Sequence, residues 1–283
     1  MNILSLFDGM SCGQIALNKL GIKYDNYFAS EIDERAIKVT QHNYPDTKQI
    51  GSVLDISGSD LPKIDLLFGG SPCQSFSNAG NGQGFDGKSG LFWEFVRVLE
   101  ETKPTYFLLE NVRMKKEWEK IITDALGVEP ILINSSLVSA AHRRRLYWSN
   151  IPNITQPIDK SILLTDIVEN VDPLDPLWLK ERNTQLLFNK INFEGCPDVA
   201  AIDVYNRKYK TDNKVPTLIL PHHNSLRLWQ NGRIRKFSAT ELEKMQNVPL
   251  GYTDVELTLN QRHALLGNGW TVDIIAHIFK QIV

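Results

Sequence analysis

The chain has 283 residues, of which 42% are hydrophobic and 23% charged, with a formal net charge of −2 at pH 7. This is the composition of a folded chain with a real core, which excludes a disordered or collagen-like chain, and the charge balance gives no whole-chain sign of a polyanionic partner. No apolar run approaches the roughly 18 residues of a membrane span, and the three cysteines, Cys12, Cys73 and Cys196, lack metal-ligand spacing. A disulfide framework, a metal site and a membrane location are therefore set aside, and a reducing, cytoplasmic interior is expected.

In chain order, Ile3 to Phe7 predicts a strand rather than a signal peptide, because no basic lead precedes it and Asp8 follows at once. Gly13 to Leu20 predicts a helix closed by Gly21. Tyr27 to Ser30 predicts a second strand, and Glu34 to Asn43 a helix stopped near Pro45. Gln49 to Val53 and Ile64 to Phe68 predict strands three and four. The amphipathic run Leu91 to Glu101 predicts a helix, Tyr106 to Leu109 a fifth strand, and Lys115 to Leu126 a helix ended by Gly127. Pro130 to Val138 and Arg145 to Trp148 predict two more strands. Such alternation implies an α/β fold with a doubly wound, mostly parallel sheet, whose ligands bind outside the carboxyl ends of the strands. After Asn150 the helical periodicity fades and prolines recur, which predicts a smaller region of short strands and loops over 151–232. Periodicity returns at Ser238 to Gln246 and Gln261 to Leu266, and a last helix is predicted from Thr271 to Ile282. The expected organisation is thus a domain over 1–150, a smaller region over 151–232, and a segment over 233–283 that returns to the first domain.

The predicted strand ends carry chemistry. The first gives Phe7-Asp8-Gly9-Met10-Ser11-Cys12-Gly13, a tight turn before a helix that allows close ligand approach but lacks the full G-x-G-x-x-G fingerprint of a pyrophosphate site. The second ends in Glu31-Ile32-Asp33, an acidic residue at the offset that suits ribose hydroxyls. Beyond the third lies Asp55-Ile56, suited to an adenine amino group and ring. Together these fit an adenosine without a pyrophosphate, and S-adenosylmethionine is the cofactor expected. Past the fourth strand the sequence reads Pro72-Cys73-Gln74, a thiol on a Gly- and Ser-rich loop rather than in the apolar run. The fifth strand ends in Glu110-Asn111-Val112. Basic clusters at Arg113 to Lys116, His142 to Arg145, Arg207 to Lys210 and Arg233 to Lys236 are able to form a phosphate-facing stripe on a neutral protein.

These residues resemble the cytosine-C5 DNA methyltransferases. The resemblance runs from Ile3 to Phe279 and is weakest between about 151 and 230. It rests on Pro72-Cys73-Gln74, Glu110-Asn111-Val112, the arginines Arg143-Arg144-Arg145, the run Arg235 to Glu241, and Gly267-Asn268-Gly269-Trp270-Thr271-Val272. Where the family often has Gln two residues before the first arginine, this chain has Ala141. The run Ser139 to Arg143, with Tyr147-Trp148, is similar to the animal de novo subgroup in particular.

The resemblance implies the methyltransferase version of the Rossmann-like fold, with 151–232 as target-recognition region. It implies methyl transfer from S-adenosylmethionine to carbon 5 of a cytosine flipped out of double-stranded DNA. Cys73 is then the nucleophile that adds to C6, Glu110 the group that bonds the base, Arg145 an orienter of the base or of Glu110, and Arg143 a neighbour of the target phosphate. Phe7, Asp8, Gly9, Glu31, Ile32, Asp55, Ile56, Pro72 and Leu91 are the expected cofactor residues, with Asn268, Gly269 and Trp270 returning beside Phe7. The glycine-rich loop Ser75 to Lys88 is expected to close over the base. Asn213 to Leu218, followed by His222, His223 and Asn224, is a candidate groove reader, with Arg207 and Lys208 as phosphate contacts. The rivals are a transfer-RNA cytosine methyltransferase, a non-catalytic nucleic-acid-binding relative, and a nicotinamide oxidoreductase, against which the missing phosphate fingerprint speaks.

Overall fold

The computed structural model describes residues 1–72, 88–221 and 226–282; Cys73, the expected lid up to Gly87, and His222, His223 and Asn224 lie outside them. The chain divides into two compact units. Unit 1 comprises 1–134, 144–156 and 274–283, and unit 2 comprises 135–143 and 157–273. Residues 233–273 thus pack with 157–232, and only the stretch from Ile274 onward joins the first unit, so the return expected for the whole of 233–283 is confined to its end. The reason is local: the hairpin and helices of that stretch pair with strands and helices of unit 2, as set out below.

Unit 1 is built from β1 (Asn2–Leu6), α1 (Cys12–Lys19), β2 (Asn26–Ser30), α2 (Glu34–Asn43), β3 (Lys48–Gln49), β4 (Leu66–Gly69), α3 (Phe92–Thr102), β5 (Tyr106–Val112), α4 (Lys116–Leu126), β6 (Ile131–Asn134) and β7 (Arg144–Ser149). The seven strands form one sheet in the order β3-β2-β1-β4-β5-β7-β6, parallel except for β7, which runs antiparallel to both its neighbours. The central strands are buried nearly throughout, as a sheet covered on both faces requires. Helix α3 turns Phe92, Phe95, Val96 and Val98 inward, where they meet Leu4, Leu6, Leu67, Leu109 and Trp148 in one apolar core.

Register places the strand ends together. Leu6 is level with Ser30 and with Gly69, and Gly69 is level with Leu109. Phe7, Glu31 and Gly70, the residues that follow, therefore leave the sheet along one edge, where β5 runs on through Glu110 to Val112. Because β7 is antiparallel, its beginning lies at that same edge, with Arg145 level with Val112. The strand predicted over Pro130 to Val138 is shorter than expected. The chain leaves the sheet after Asn134 into a single 3-10 turn, Ser135–Leu137, whose first N–H bonds the Arg143 carbonyl. The predicted third strand likewise gives way to a 3-10 turn over Val53–Asp55, capped by the Ser52 hydroxyl.

Unit 2 holds α5 (Leu164–Ile167), α6 (Glu181–Phe188), β8 (Val199–Asp203), β9 (Lys208–Tyr209), β10 (Arg227–Gln230), β11 (Arg233–Arg235), α7 (Ala239–Met245) and α8 (Leu259–Asn268); α9 (Val272–Phe279) follows. Its four strands form an antiparallel sheet in the order β11-β10-β8-β9. Ile191, Ile202 and Ile234 make a small core against Phe193 and Trp229, which stack at 4.7 Å. Arg235 is fully buried. It pairs with the equally buried Glu241 at 2.6 and 2.8 Å, bonds Gln230 and the Glu169 carbonyl, and lies over the Trp178 ring. Glu241 also closes a capping box with Ser238 at the start of α7.

Candidate active site

The turn after β1 is wound tightly. Phe7, Gly9 and Ser11 all have positive φ, at 56°, 58° and 59°. For Phe7 and Ser11, which carry a Cβ, this conformation costs on the order of 1–2 kcal/mol each. Hydrogen bonds hold it. The Asp8 carboxylate accepts from the Tyr27 hydroxyl at 2.7 Å and from the Ser11 hydroxyl, and Thr40 donates to Ser11 at 3.1 Å. Burial pushes the Asp8 carboxyl up from 3.8 to about 6, against the hydrogen bonds from Ser11, Ser5 and Tyr27 that pull it down. Asp8, expected as a ligand-binding residue, thus spends both oxygens on shaping the turn. Gly13, one helical turn on, is forced by proximity: a Cβ there would stand 2.3 Å from the Phe68 ring.

Glu31 locks the next strand end to this turn. Its Oε2 accepts from the Gly9 N–H at 2.7 Å, and its Oε1 from the N–H groups of Ile32 and Asp33 at 2.7 and 2.8 Å. The Ile32 side chain is 75% exposed beside it, an apolar surface left open among the described residues. Asp55 is exposed at the end of its 3-10 turn. Ile56 behaves differently from the expectation. Its side chain is 7% exposed within the core, so the open apolar group of that turn is Leu54. The turn itself is held by Arg97 of α3, which donates to the carbonyls of Val53 and Ile56 at 3.0 and 2.8 Å and is braced by Glu94 and Glu101. Phe7 and Leu91 are partly buried against the same core.

At the ends of β4 and β5 two side chains organise the approach to position 73. Glu110, 7% exposed, forms an ion pair with Arg145 at 2.8 Å. Asn111, 1% exposed, donates through its amide to the Ser71 hydroxyl at 3.1 Å and accepts from the Val112 N–H at 2.8 Å. It thereby fixes Ser71 and Pro72, the residues from which the chain passes to Cys73. Among the described residues no group of three or more His, Cys, Asp or Glu is placed to hold a metal, and no helix is long and apolar enough to cross a membrane.

Arg143 departs from its expected place near a phosphate. It is 6% exposed and donates to the carbonyls of Leu218 and Gly267 at 3.2 Å each, within unit 2, where it braces two segments. Asn268 is exposed at the end of α8, and Gly269 closes that helix by donating to Leu265. Gln246 bonds Thr271, Val272 and the Leu266 carbonyl around them. Tyr27 and Arg97 were not singled out from sequence, and Asn111 was read only as part of the Glu110-Asn111-Val112 motif, with no role of its own. For Arg97 the spacing Glu94, Arg97, Glu101 was the available signal, three and four residues apart on one helix face.

Comparison with known proteins places this geometry. Residues 1–125 match the C-5 cytosine-specific DNA methylase family. An orphan methyltransferase, M.Rho11sI of Bacillus phage rho11s, is 42% identical over 116 residues, which is 40% of this chain and 23% of the phage protein; the corresponding segment of its relative from Bacillus phage SPR is 26% of that protein. The type II methyltransferase M.Bsp6I of a Bacillus strain is 28% identical over 311 aligned positions, covering 100% of this chain and 98% of that one. The solved structure of Spodoptera frugiperda DNMT2 shares the fold with a TM-score of 0.72 at 17% identity, covering 99% of each chain. These relatives are phage and bacterial proteins and a DNMT2, and they lend no support to the likeness to the animal de novo subgroup. The first part of the chain thus matches the C-5 cytosine-specific DNA methylase family over residues 1–125, and the solved structures share the fold over its whole length.

Proposed function

We propose that this chain transfers a methyl group from S-adenosylmethionine to carbon 5 of a cytosine in double-stranded DNA. The observation that carries the reading is the ion pair of Glu110 with Arg145, set beside the Asn111–Ser71 anchor at the entrance to Cys73. A buried carboxyl held by a guanidinium is oriented to meet the N3 and amino edge of a cytosine. The anchor fixes the chain direction from which a thiol reaches C6 on the same ring.

The residues of unit 1 suit an adenosine-bearing cofactor. Gly9 allows close backbone approach, Glu31 is a carboxylate fixed by three N–H groups, Asp55 is an exposed carboxylate, and Ile32 and Leu54 are apolar groups left open to solvent. When bound, the cofactor supplies an electrophilic methyl on a sulfonium. The protein's share is to make cytosine C5 nucleophilic. Cys73, outside the described residues, adds as thiolate to C6 of an extruded base, which converts C5 to an enamine-like carbon. Glu110 bonds the base edge and offsets the charge that arrives on the ring as sulfur adds. Arg145 holds Glu110 in place. After C5 has lost its proton, elimination returns the thiolate.

The test is methyl transfer with duplex DNA and transfer RNA supplied in parallel, followed by bisulfite sequencing of the DNA. Methylated cytosine in a defined DNA context, lost in Cys73→Ala, is expected. A 5-fluorocytosine duplex that never becomes covalently trapped by the wild-type protein in the presence of cofactor overturns the reading.

A further inference from the structure

Unit 2 contains a cavity of about 200 Å³ that has no part in the chemistry above. Its walls include the apolar side chains of Pro221, Leu226, Phe237 and Leu259 and three basic ones, Arg227 at the start of β10, Lys236 just after β11, and His263 on α8. Among the described residues no carboxylate lines it. Arg227 is half-buried, and among the described residues its guanidinium has no carboxylate partner, only the neighbouring Leu226 carbonyl at 2.9 Å. Burial pushes its pKa down from the ordinary arginine value, the mark of a cation without compensation. Among the described residues no partner is found for the Lys236 ammonium either.

His263 adds an independent sign. Its ring is hydrogen-bonded to the Ile219 backbone, while Nε2 is buried and has no partner among the described residues. An orphaned buried nitrogen is a cost to folding that a bound partner removes. Burial first, and the Arg227 charge second, push this histidine down to about 4, so at neutral pH its ring is neutral beside these cations. Arg262, next to it on α8, does not supply the missing partner, because it is committed to Glu243, Thr253 and Asp254. Leu259 and Asn260, which open α8, bring the positive end of that helix to the same wall.

We propose that this cavity binds a phosphate of the nucleic-acid backbone, with Arg227 and Lys236 donating to its oxygens. An anion there relieves the uncompensated guanidinium and gives the buried imidazole a reason to take a proton and donate from Nε2. The inference rests on the reading of the chain as a DNA methyltransferase and extends it by assigning a phosphate contact to named residues. It assigns position rather than sequence choice, since a phosphate carries no base information.

The experiment measures the affinity of the full chain for a fixed 20-base-pair duplex across a salt series, for wild type, Arg227→Gln and Lys236→Gln. Each phosphate contact contributes about 0.9 to the slope of log K against log salt, so each variant should be shallower by about that amount. Each should bind about tenfold more weakly near 0.1 M salt, equally on specific and nonspecific duplexes. Cofactor affinity and melting temperature are expected to stay at the wild-type values, and Lys236, at the cavity edge, serves as the variant least able to disturb folding. Unchanged slopes in both variants overturn the proposal, and so does added inorganic phosphate that binds the wild type but not the variants while the DNA slopes agree, which makes the cavity a free-anion site. If the wild type neither binds nor methylates duplex DNA, the reading of the preceding section fails and this one falls with it.

Discussion

Asp8 offers a test of the turn that shapes the candidate cofactor site. Its carboxyl titrates near 6 in the folded chain against an ordinary 3.8. A raised acid in the folded state means that the native protein holds a proton which the unfolded chain has released, so between these two values stability falls as pH rises. At 1.36 kcal/mol per pH unit the loss is about 3 kcal/mol, complete above pH 6 and absent below 3.8. Other carboxylates act in the opposite sense. Asp33 is held low by Arg35, and Glu101 by the Gly58 N–H and Arg97, so each adds stability as pH rises through its unfolded value. Those contributions are common to wild type and Asp8→Asn, and the difference between the two proteins isolates Asp8. Urea unfolding at pH values from 4 to 7 should give curves that diverge by about 3 kcal/mol, the variant losing less. Asparagine keeps an oxygen for Tyr27 but cannot accept from Ser11, so the offset between the curves at pH 4 reports that lost bond separately. Parallel curves across the range would refute the claim that burial, rather than exposure to solvent or a ligand, governs this carboxyl.

Three further variants probe the scaffold. Glu241→Ala should destabilise the chain by about 3–5 kcal/mol in urea unfolding, because it strands the fully buried Arg235, whereas the double change Arg235→Met with Glu241→Leu should recover most of that loss. Asn111→Ala should lower single-turnover methyl transfer by up to about 100-fold while leaving cofactor affinity within about twofold, since it frees Ser71 and Pro72 without touching the turn after β1.

The sheet was legible because apolar runs of strand length alternate with amphipathic helices, and the resulting α/β fold puts the strand ends in one row. What the pattern does not carry is the ending of elements by side-chain bonds. Ser52 converts the expected end of a strand into a 3-10 turn through its hydroxyl, and the Arg143 carbonyl draws Ser135 out of β6. Both events depend on partners that periodicity cannot see. In the proline-rich region Asn231-Gly232, which the reading of the sequence passed over, has positive φ values of 49° and 81° and forms the turn between β10 and β11. The arginine run shows a different limit. Arg143, Arg144 and Arg145 are neighbours in sequence, yet Arg143 is buried on carbonyls, Arg144 is exposed, and Arg145 reaches Glu110. Arg143 precedes β7 and packs within unit 2, while Arg144 and Arg145 are successive residues of that strand and point to opposite faces, so a basic cluster read as one patch is divided among three surroundings.

The same accounting bears on Glu31. An ionised carboxylate offers about four lone-pair positions. Three of them are taken by the N–H groups of Gly9, Ile32 and Asp33, two on Oε1 and one on Oε2. One position is left for a ligand hydroxyl, on Oε2, so this acid can serve one hydroxyl of a ribose at full strength and not both. Glutamine cannot stand in for it, because either orientation of the amide turns an NH₂ group toward at least one backbone N–H. The residue that would bind the sugar is therefore the residue that ties the turn after β1 to the end of β2. A loss of cofactor affinity on changing it would combine a lost contact with a loosened turn, and the two separate only in a variant of Ile32, which is exposed beside the acid and contributes only its backbone N–H to it.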